Sequence, residues 1–296
     1  MTEGKAILIT GATGGIGAAL VRALSARGRT VYAGARGDAP DLASLPGVRV
    51  VRLDVTDAAG VAEAAAEVRA AQGGRGLHAV VNNAGLIVQG PMELVPPEEL
   101  RRQFEVNVHG PAIVTRAFLP LLREGRGRVV NVSAASALAA PPGLGPIAAS
   151  KAALESLSDA TRLELAPWGI PVSVVRPGAV STAIFGKAEE AARIALRRAD
   201  PEAVAMYRPM LDAIERTIAD QSPAPVDGVV RTLIKAIEAR RPRRHYTCGR
   251  DARLLAVVSR LPAGPRDRIV ASAFGLRRLP RPPAGASATG PANTAG

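Results

Sequence analysis

Short apolar runs rich in Val and Ile recur at residues 6–10, 30–35, 48–53, 78–82, 128–132 and 171–176, each bounded by Gly, Asn, Asp or Pro. Runs of that length and composition predict buried strands. Between them lie stretches with helical spacing. One covers 16–27, and another follows Asp57, a capping residue, through an alanine-rich segment to 71. A single long helix is expected over 97–123, with Pro96-Pro97 at its start, where proline is tolerated. A further helix is expected over 147–166, and 232–239 lies in a late helix before a short strand near 245–247. Strands alternating with helices predict an α/β protein: one doubly wound parallel sheet, helices on both faces.

Two regions break the rhythm. Residues 186–223 carry two amphipathic helical patterns after the sixth strand, and such an insertion suits a helical lid over a substrate crevice, extra core or a dimer contact equally well. From Leu279 the chain turns to Pro, Gly, Ala, Ser and Thr without periodicity, so residues 281–296 are expected to be a disordered tail behind one domain over 1–280. The uncharged stretch 129–150 has the length of a membrane span, but Pro141, Pro142, Gly143, Gly145 and Pro146 would break such a helix, and no span is predicted.

Composition narrows the classes further. The net charge of +12 raises the possibility of a nucleic-acid partner, yet the basic residues are scattered and aromatics make up only 3% of the chain. Stacking platforms are therefore lacking, and no nucleic-acid binding is expected. A single cysteine, Cys248, excludes an internal disulfide and suits a reducing cytoplasm. The three histidines, His78, His109 and His245, stand apart from one another and from any cysteine cluster, so no metal site is predicted.

The chemistry concentrates in a glycine loop. Gly11, Thr13, Gly15, Ile16 and Gly17 follow the first strand and open the first helix, where backbone amides can hold a pyrophosphate. Beyond it come Asp54-Val55, Asn82-Asn83-Ala84-Gly85, Asn107, Lys151 and the run Pro177-Gly178-Ala179-Val180-Ser181-Thr182. In order and spacing these motifs resemble the short-chain dehydrogenase/reductase superfamily, from about residue 5 to 182 and more loosely to 250. The resemblance implies a Rossmann-type fold and a homodimer or homotetramer. It also implies that Asp54 and Val55 contact adenine, that Asn83, Ala84 and Gly85 line the cofactor floor, and that Pro177, Gly178, Val180 and Thr182 meet the nicotinamide. At the end of the second strand, where a carboxylate would hold a ribose hydroxyl, stand Ala35 and Arg36. A guanidinium pairs with a 2′-phosphate, so NADP(H) is expected over NAD(H).

The family's YxxxK pattern places tyrosine four residues before the lysine and serine thirteen before the tyrosine. Counting back from Lys151 reaches Ile147 and then Ala134, which can neither donate a proton nor stabilise an alkoxide. Ser133 is expected to point away from the face of residue 134 and to bond nearby backbone. Ser136 and Tyr207 are the candidate substitutes. Three readings stay open: a redox-neutral cyclase, isomerase or lyase on a hydrophobic natural-product-like substrate; an NADPH-dependent oxidoreductase with a displaced acid; and a non-catalytic NADP(H)-binding subunit or sensor. In the first, Lys151 holds the ribose, Asn107 shapes its helix, and Ile147 with Ala134 enlarges an apolar pocket.

Overall fold

The computed structural model describes residues 5–220 and 223–279. The expected tail at 281–296 lies outside them. Among the described residues, seven parallel strands form one sheet in the order β3-β2-β1-β4-β5-β6-β7. They are β1 (Ile7–Thr10), β2 (Val31–Ala35), β3 (Val48–Arg52), β4 (Ala79–Asn82), β5 (Arg128–Val132), β6 (Val172–Pro177) and β7 (His245–Cys248). The chain runs outward from β1 to β3, then crosses to β4 on the other side of β1. That reversal opens a crevice above the carboxyl ends of β1 and β4.

The helices are α1 (Gly15–Ser25), α2 (Pro40–Ala43), α3 (Ala58–Gln72), α4 (Pro97–Phe104), α5 (Gly110–Glu124), α6 (Gly145–Leu165), α7 (Ala183–Arg198), α8 (Pro201–Ala219), α9 (Val226–Glu238), α10 (Arg250–Val258) and α11 (Ala263–Ala273). The period of two in the strands divides the core. Ile7, Ile9, Val31, Val81 and Val130 face Leu20 and Leu24 of α1 and Leu233 and Ile237 of α9. Leu8, Tyr32, Val51, Val80 and Val129 face Val61 and Val68 of α3 and Val114 and Phe118 of α5. Both faces of the sheet are covered, as a parallel sheet requires.

Local signals set several boundaries. Asp57 accepts a hydrogen bond from Ala59 N at 3.1 Å, capping α3, and Gly73 ends it in the left-handed conformation. Asp200 caps α8 in the same way through Glu202 N at 3.0 Å. The C-terminus of α9 is held from below the sheet. Arg128 Nη1 donates to Ala236 O at 3.2 Å and Ala239 O at 2.7 Å, and His78 Nε2 lies 3.0 Å from Ile237 O. Cationic and N–H groups there complement the partial negative charge of the helix end.

The structure corrects the single helix expected over 97–123. α4 and α5 are separated by a π-helical turn, Glu105–His109, in which Gly110 N bonds Glu105 O. α9, which begins directly after Pro225, contains the helical stretch expected near its end, whereas α10 and α11 were not foreseen.

Candidate functional site

The glycine loop and the segment after β4 interlock. The Thr10 hydroxyl accepts hydrogen bonds from Asn83 N at 3.1 Å and Ala84 N at 3.0 Å, while Asn83 Nδ2 donates to Thr10 O at 3.0 Å and Gly11 O at 3.2 Å. This packing leaves no room for side chains. Gly11 adopts φ +62°, and a Cβ there would sit 2.8 Å from Ala84 Cα. A Cβ on Gly17 would lie 2.3 Å from Gly11 O, and one on Gly15 would lie 2.7 Å from Thr182 Cγ2. The first turn of α1 has neither a side-chain cap nor an acidic residue, and Thr13, Gly14 and Gly15 are exposed. Its amides are therefore open to an anion. The cradle fits a dinucleotide pyrophosphate.

Beyond β2, Arg36 is exposed and lies near Asp54. Asp54 Oδ1 accepts from Thr56 N at 3.0 Å and Thr56 Oγ1 at 2.7 Å. The Thr56 amide bond holds its carboxyl below the ordinary range against the opposing effect of burial, and the Thr56 hydroxyl and Arg36 charge add to the lowering. Val55 is buried against Gly110, where an added Cβ would meet Val55 Cγ2 at 2.8 Å.

Asn107 sits in the π-helical turn and is fully buried. Its carboxamide accepts from Leu86 N at 3.0 Å and donates to Leu86 O at 3.0 Å and Ser150 Oγ at 3.3 Å. Gln103 works beside it, donating to Leu86 O at 2.9 Å and Ser150 Oγ at 3.1 Å and accepting from Val88 N at 2.6 Å. Gly85 is thereby placed where a Cβ would lie 3.2 Å from Asn107 Oδ1 and 3.6 Å from Lys151 Nζ. Lys151 is buried, and its ammonium donates to Val132 O at 2.8 Å. Burial lowers its pKa to about 8, partly opposed by the charge of Glu155.

Ile147 is buried one turn before Lys151 on α6. Ala134 is extended and partly exposed at the end of β5. Ser133 turns the other way, as strand geometry requires. Its partner is a correction to the expected backbone: Oγ donates to Glu155 Oε1 at 2.6 Å, and Glu155 pairs in turn with Arg176. Ser136 lies in the 3-10 turn Ala135–Ala137 and is partly exposed. Tyr32 and Tyr246 are tied elsewhere, to Gln72 and to Arg243 N. Tyr207 packs on α8 against a cluster containing Leu94, Ala203 and Leu211. Its interaction with the Glu93 carboxylate, then burial, raises its pKa, which weakens it as an acid. His109 stands exposed beside Glu105 at 3.4 Å, whereas Asn107 is fully buried.

α7 and α8 continue directly from this region. α8 touches the loop before α6, where a Cβ on Gly143 would come 3.0 Å from Ile214 Cδ1. The segment returning from α8 pairs with the strand-end run, Ser181 N donating to Ala224 O at 3.0 Å and Ala224 N to Ala179 O at 2.9 Å. Asp251, at the start of α10, grips the same run. Its carboxylate accepts from Ala179 N at 2.7 Å and occupies the space that a Gly178 side chain would need. Sequence reasoning missed Asp251, Gln103 and Ser150. Among the described residues, no group of three His, Cys, Asp or Glu side chains could hold a metal, and no helix is long and apolar enough to cross a membrane.

Comparison with known proteins agrees with this geometry. The family model described as short chain dehydrogenase matches residues 5–193. The chain is 30% identical over 267 residues to 3-amino-tetrahydro-pyrrolizinone reductase of Xenorhabdus hominickii, covering 87% of this chain and 91% of that one. It is 35% identical over 277 residues to retinol dehydrogenase 5 of Mus musculus, covering 89% and 87%. A solved short chain dehydrogenase from Burkholderia cenocepacia J2315, in complex with NADP, superposes with a TM-score of 0.70 at 29% identity, covering 92% of this chain and 98% of that one. Interlocked glycine loop, strand order and matched residues together place the chain in the short chain dehydrogenase family.

Proposed function

We propose that this protein is an NADP(H)-dependent oxidoreductase acting between a hydrophobic ketone and its alcohol, with Lys151 as the proton source in place of the usual tyrosine. The observation that carries this reading is the position of Lys151: buried one turn from Ile147, beside Gly85 and Asn107, with a pKa lowered to about 8. An acid that titrates near working pH suits general acid–base catalysis. The glycine loop would hold the pyrophosphate, Asp54 and Val55 the adenine end, and Arg36 a 2′-phosphate. When bound, the reduced dinucleotide supplies hydride. The chain's own part is to hold the substrate carbonyl near α6, exclude water with Ile147 and the helices α7 and α8, and deliver a proton from Nζ. The reductase and dehydrogenase names of the relatives support this reading over the others.

The test is NADPH consumption, followed at 340 nm, over a panel of hydrophobic ketones. Turnover is expected to fall as pH rises through about 8, and Lys151→Gln is expected to abolish it while NADPH still binds. Undiminished turnover in Lys151→Gln overturns the assignment of Lys151 and directs attention to Ser136. A second reading, redox-neutral chemistry with the nucleotide as a fixed part, draws on the apolar pair Ile147 and Ala134 and on the raised pKa of Tyr207. Tight NADPH binding without NADPH consumption on any ketone would favour it. We also propose a homo-oligomer built on the outer side of α6, where Leu163 and the nearby Trp168 stand exposed; light scattering measures it.

A further inference from the structure

α10 and α11 form the least buried part of the described chain. α11 contributes no buried residue, and α10 buries only Ala252 and Val258. Instead they expose large aliphatic side chains: Leu254 at 66%, Val257 at 60%, Ile269 at 45%, and Leu261 in the turn between them. Leu254 and Val257 are three residues apart and share one face of α10, and Leu261 follows in the turn. Helices of this length are marginal in isolation and are ordinarily stabilised by burying such a face.

Charge identifies what covers it. Arg250, Arg253, Arg260, Arg266, Arg268, Arg277 and Arg278 lie in this segment, against Asp251 and Asp267. Asp251 is spent on Ala179 N, and Asp267 sits beside Arg266. Arg253 on α10 and Arg260 in the turn after it are exposed next in sequence to these aliphatics. A second copy of the chain docked face to face would set these arginines against their own counterparts. A nucleic-acid backbone would satisfy the arginines and leave the protruding aliphatics in water. A bilayer carrying anionic headgroups satisfies both, since an amphipathic basic helix lies in the interface with its apolar stripe among the acyl chains.

We infer that α10 and α11 dock this protein on the surface of an anionic lipid bilayer, without spanning it. The test is co-sedimentation of the full-length protein with phosphatidylcholine vesicles, with and without phosphatidylglycerol. Binding is expected only when the anionic lipid is present, and it should weaken as salt screens the arginines. Leu254→Ser/Val257→Ser should weaken binding at least about tenfold, and Arg253→Gln/Arg260→Gln should reduce the preference for phosphatidylglycerol and the salt dependence of binding. All four residues are exposed, so the circular dichroism spectrum and NADPH affinity should match wild type. Failure of the wild type to bind anionic vesicles overturns the proposal. So does equal binding by the Leu254→Ser/Val257→Ser variant, or a change in its oligomeric mass without any vesicle binding by wild type, which would make the face a subunit contact.

Discussion

The glycine loop at residues 10–17 and the start of α6 form two sides of one crevice, yet they are built on different principles. The loop works by the absence of side chains: Gly11, Gly15 and Gly17 let backbone approach backbone, and the free amides of α1 face the opening. The α6 side depends on individual side chains, and at positions 134 and 147 those are Ala and Ile. A binding surface made of main chain can change only by steric intrusion. A catalytic group made of one hydroxyl disappears with one substitution, and neighbouring packing barely notices. Ile147 is buried and Ser133 keeps its own partner in Glu155. The two sides can therefore diverge independently within one fold.

The largest break in this comparison should come from Gly17→Ala. In a helix interior alanine ordinarily stabilises relative to glycine, but here its Cβ would lie 2.3 Å from Gly11 O. NADPH affinity measured by calorimetry is expected to fall at least about 100-fold by loss of the cradle. Gly186→Ala, with open space around it, should leave affinity unchanged. The reverse experiment tests the α6 side. Ala134→Ser/Ile147→Tyr is expected to raise ketone reduction by about 10²-fold or more, seen in kcat with little change in NADPH affinity. An inert double variant would mean that the crevice no longer accepts a carbonyl near α6.

A smaller effect probes where the sides meet. Asp251→Ala removes the acceptor for Ala179 N and is expected to raise the KM for NADPH roughly tenfold, consistent with loss of one charged hydrogen bond. Asp251→Asn, which keeps an acceptor oxygen, should recover most of it, and kcat should move less than KM in both. The smallest effect lies at the opposite end of the sheet. Burial, then the charges of Lys5 and Arg128, lower the His78 pKa from 6.5 to about 4. Between those values the unfolded chain takes up a proton that the folded chain refuses, so stability falls as pH drops through that window, by about 1 kcal/mol once solvent screening is allowed for. Urea midpoints from pH 7 to 4 should show the fall, and His78→Gln should flatten it.

Much of this architecture could be read from residues alone, and the failures have physical reasons. The strands were legible because a sheet covered on both faces needs continuous apolar runs. The break between α4 and α5 was not, because one extra residue leaves a plausible helical period on either side. α10 and α11 escaped notice because most of their apolar residues stay exposed or half-buried, only Ala252 and Val258 being buried. Asp251 is separated from Ala179 by 72 positions, and nothing local marks an aspartate at a helix start as the holder of a distant loop. Gln103 and Ser150 likewise look like ordinary polar helix residues until Gln103 and Asn107 are seen to share Leu86 O and Ser150 Oγ as acceptors.

The π-helical turn at Glu105–His109 has a consequence for how the chain tolerates length changes. One residue advances an α-helix by about 100°, so the extra residue rotates everything after it by that angle relative to everything before. α4 thereby faces α6 while α5 faces α3 and β4, and Asn107 lies where the phase changes. Deleting any single residue from this turn would make one continuous helix with the wrong azimuth at one end. Point substitutions in the turn alter contacts; a one-residue deletion alters phase, and the packing of α5 on α3 and β4 opposes it.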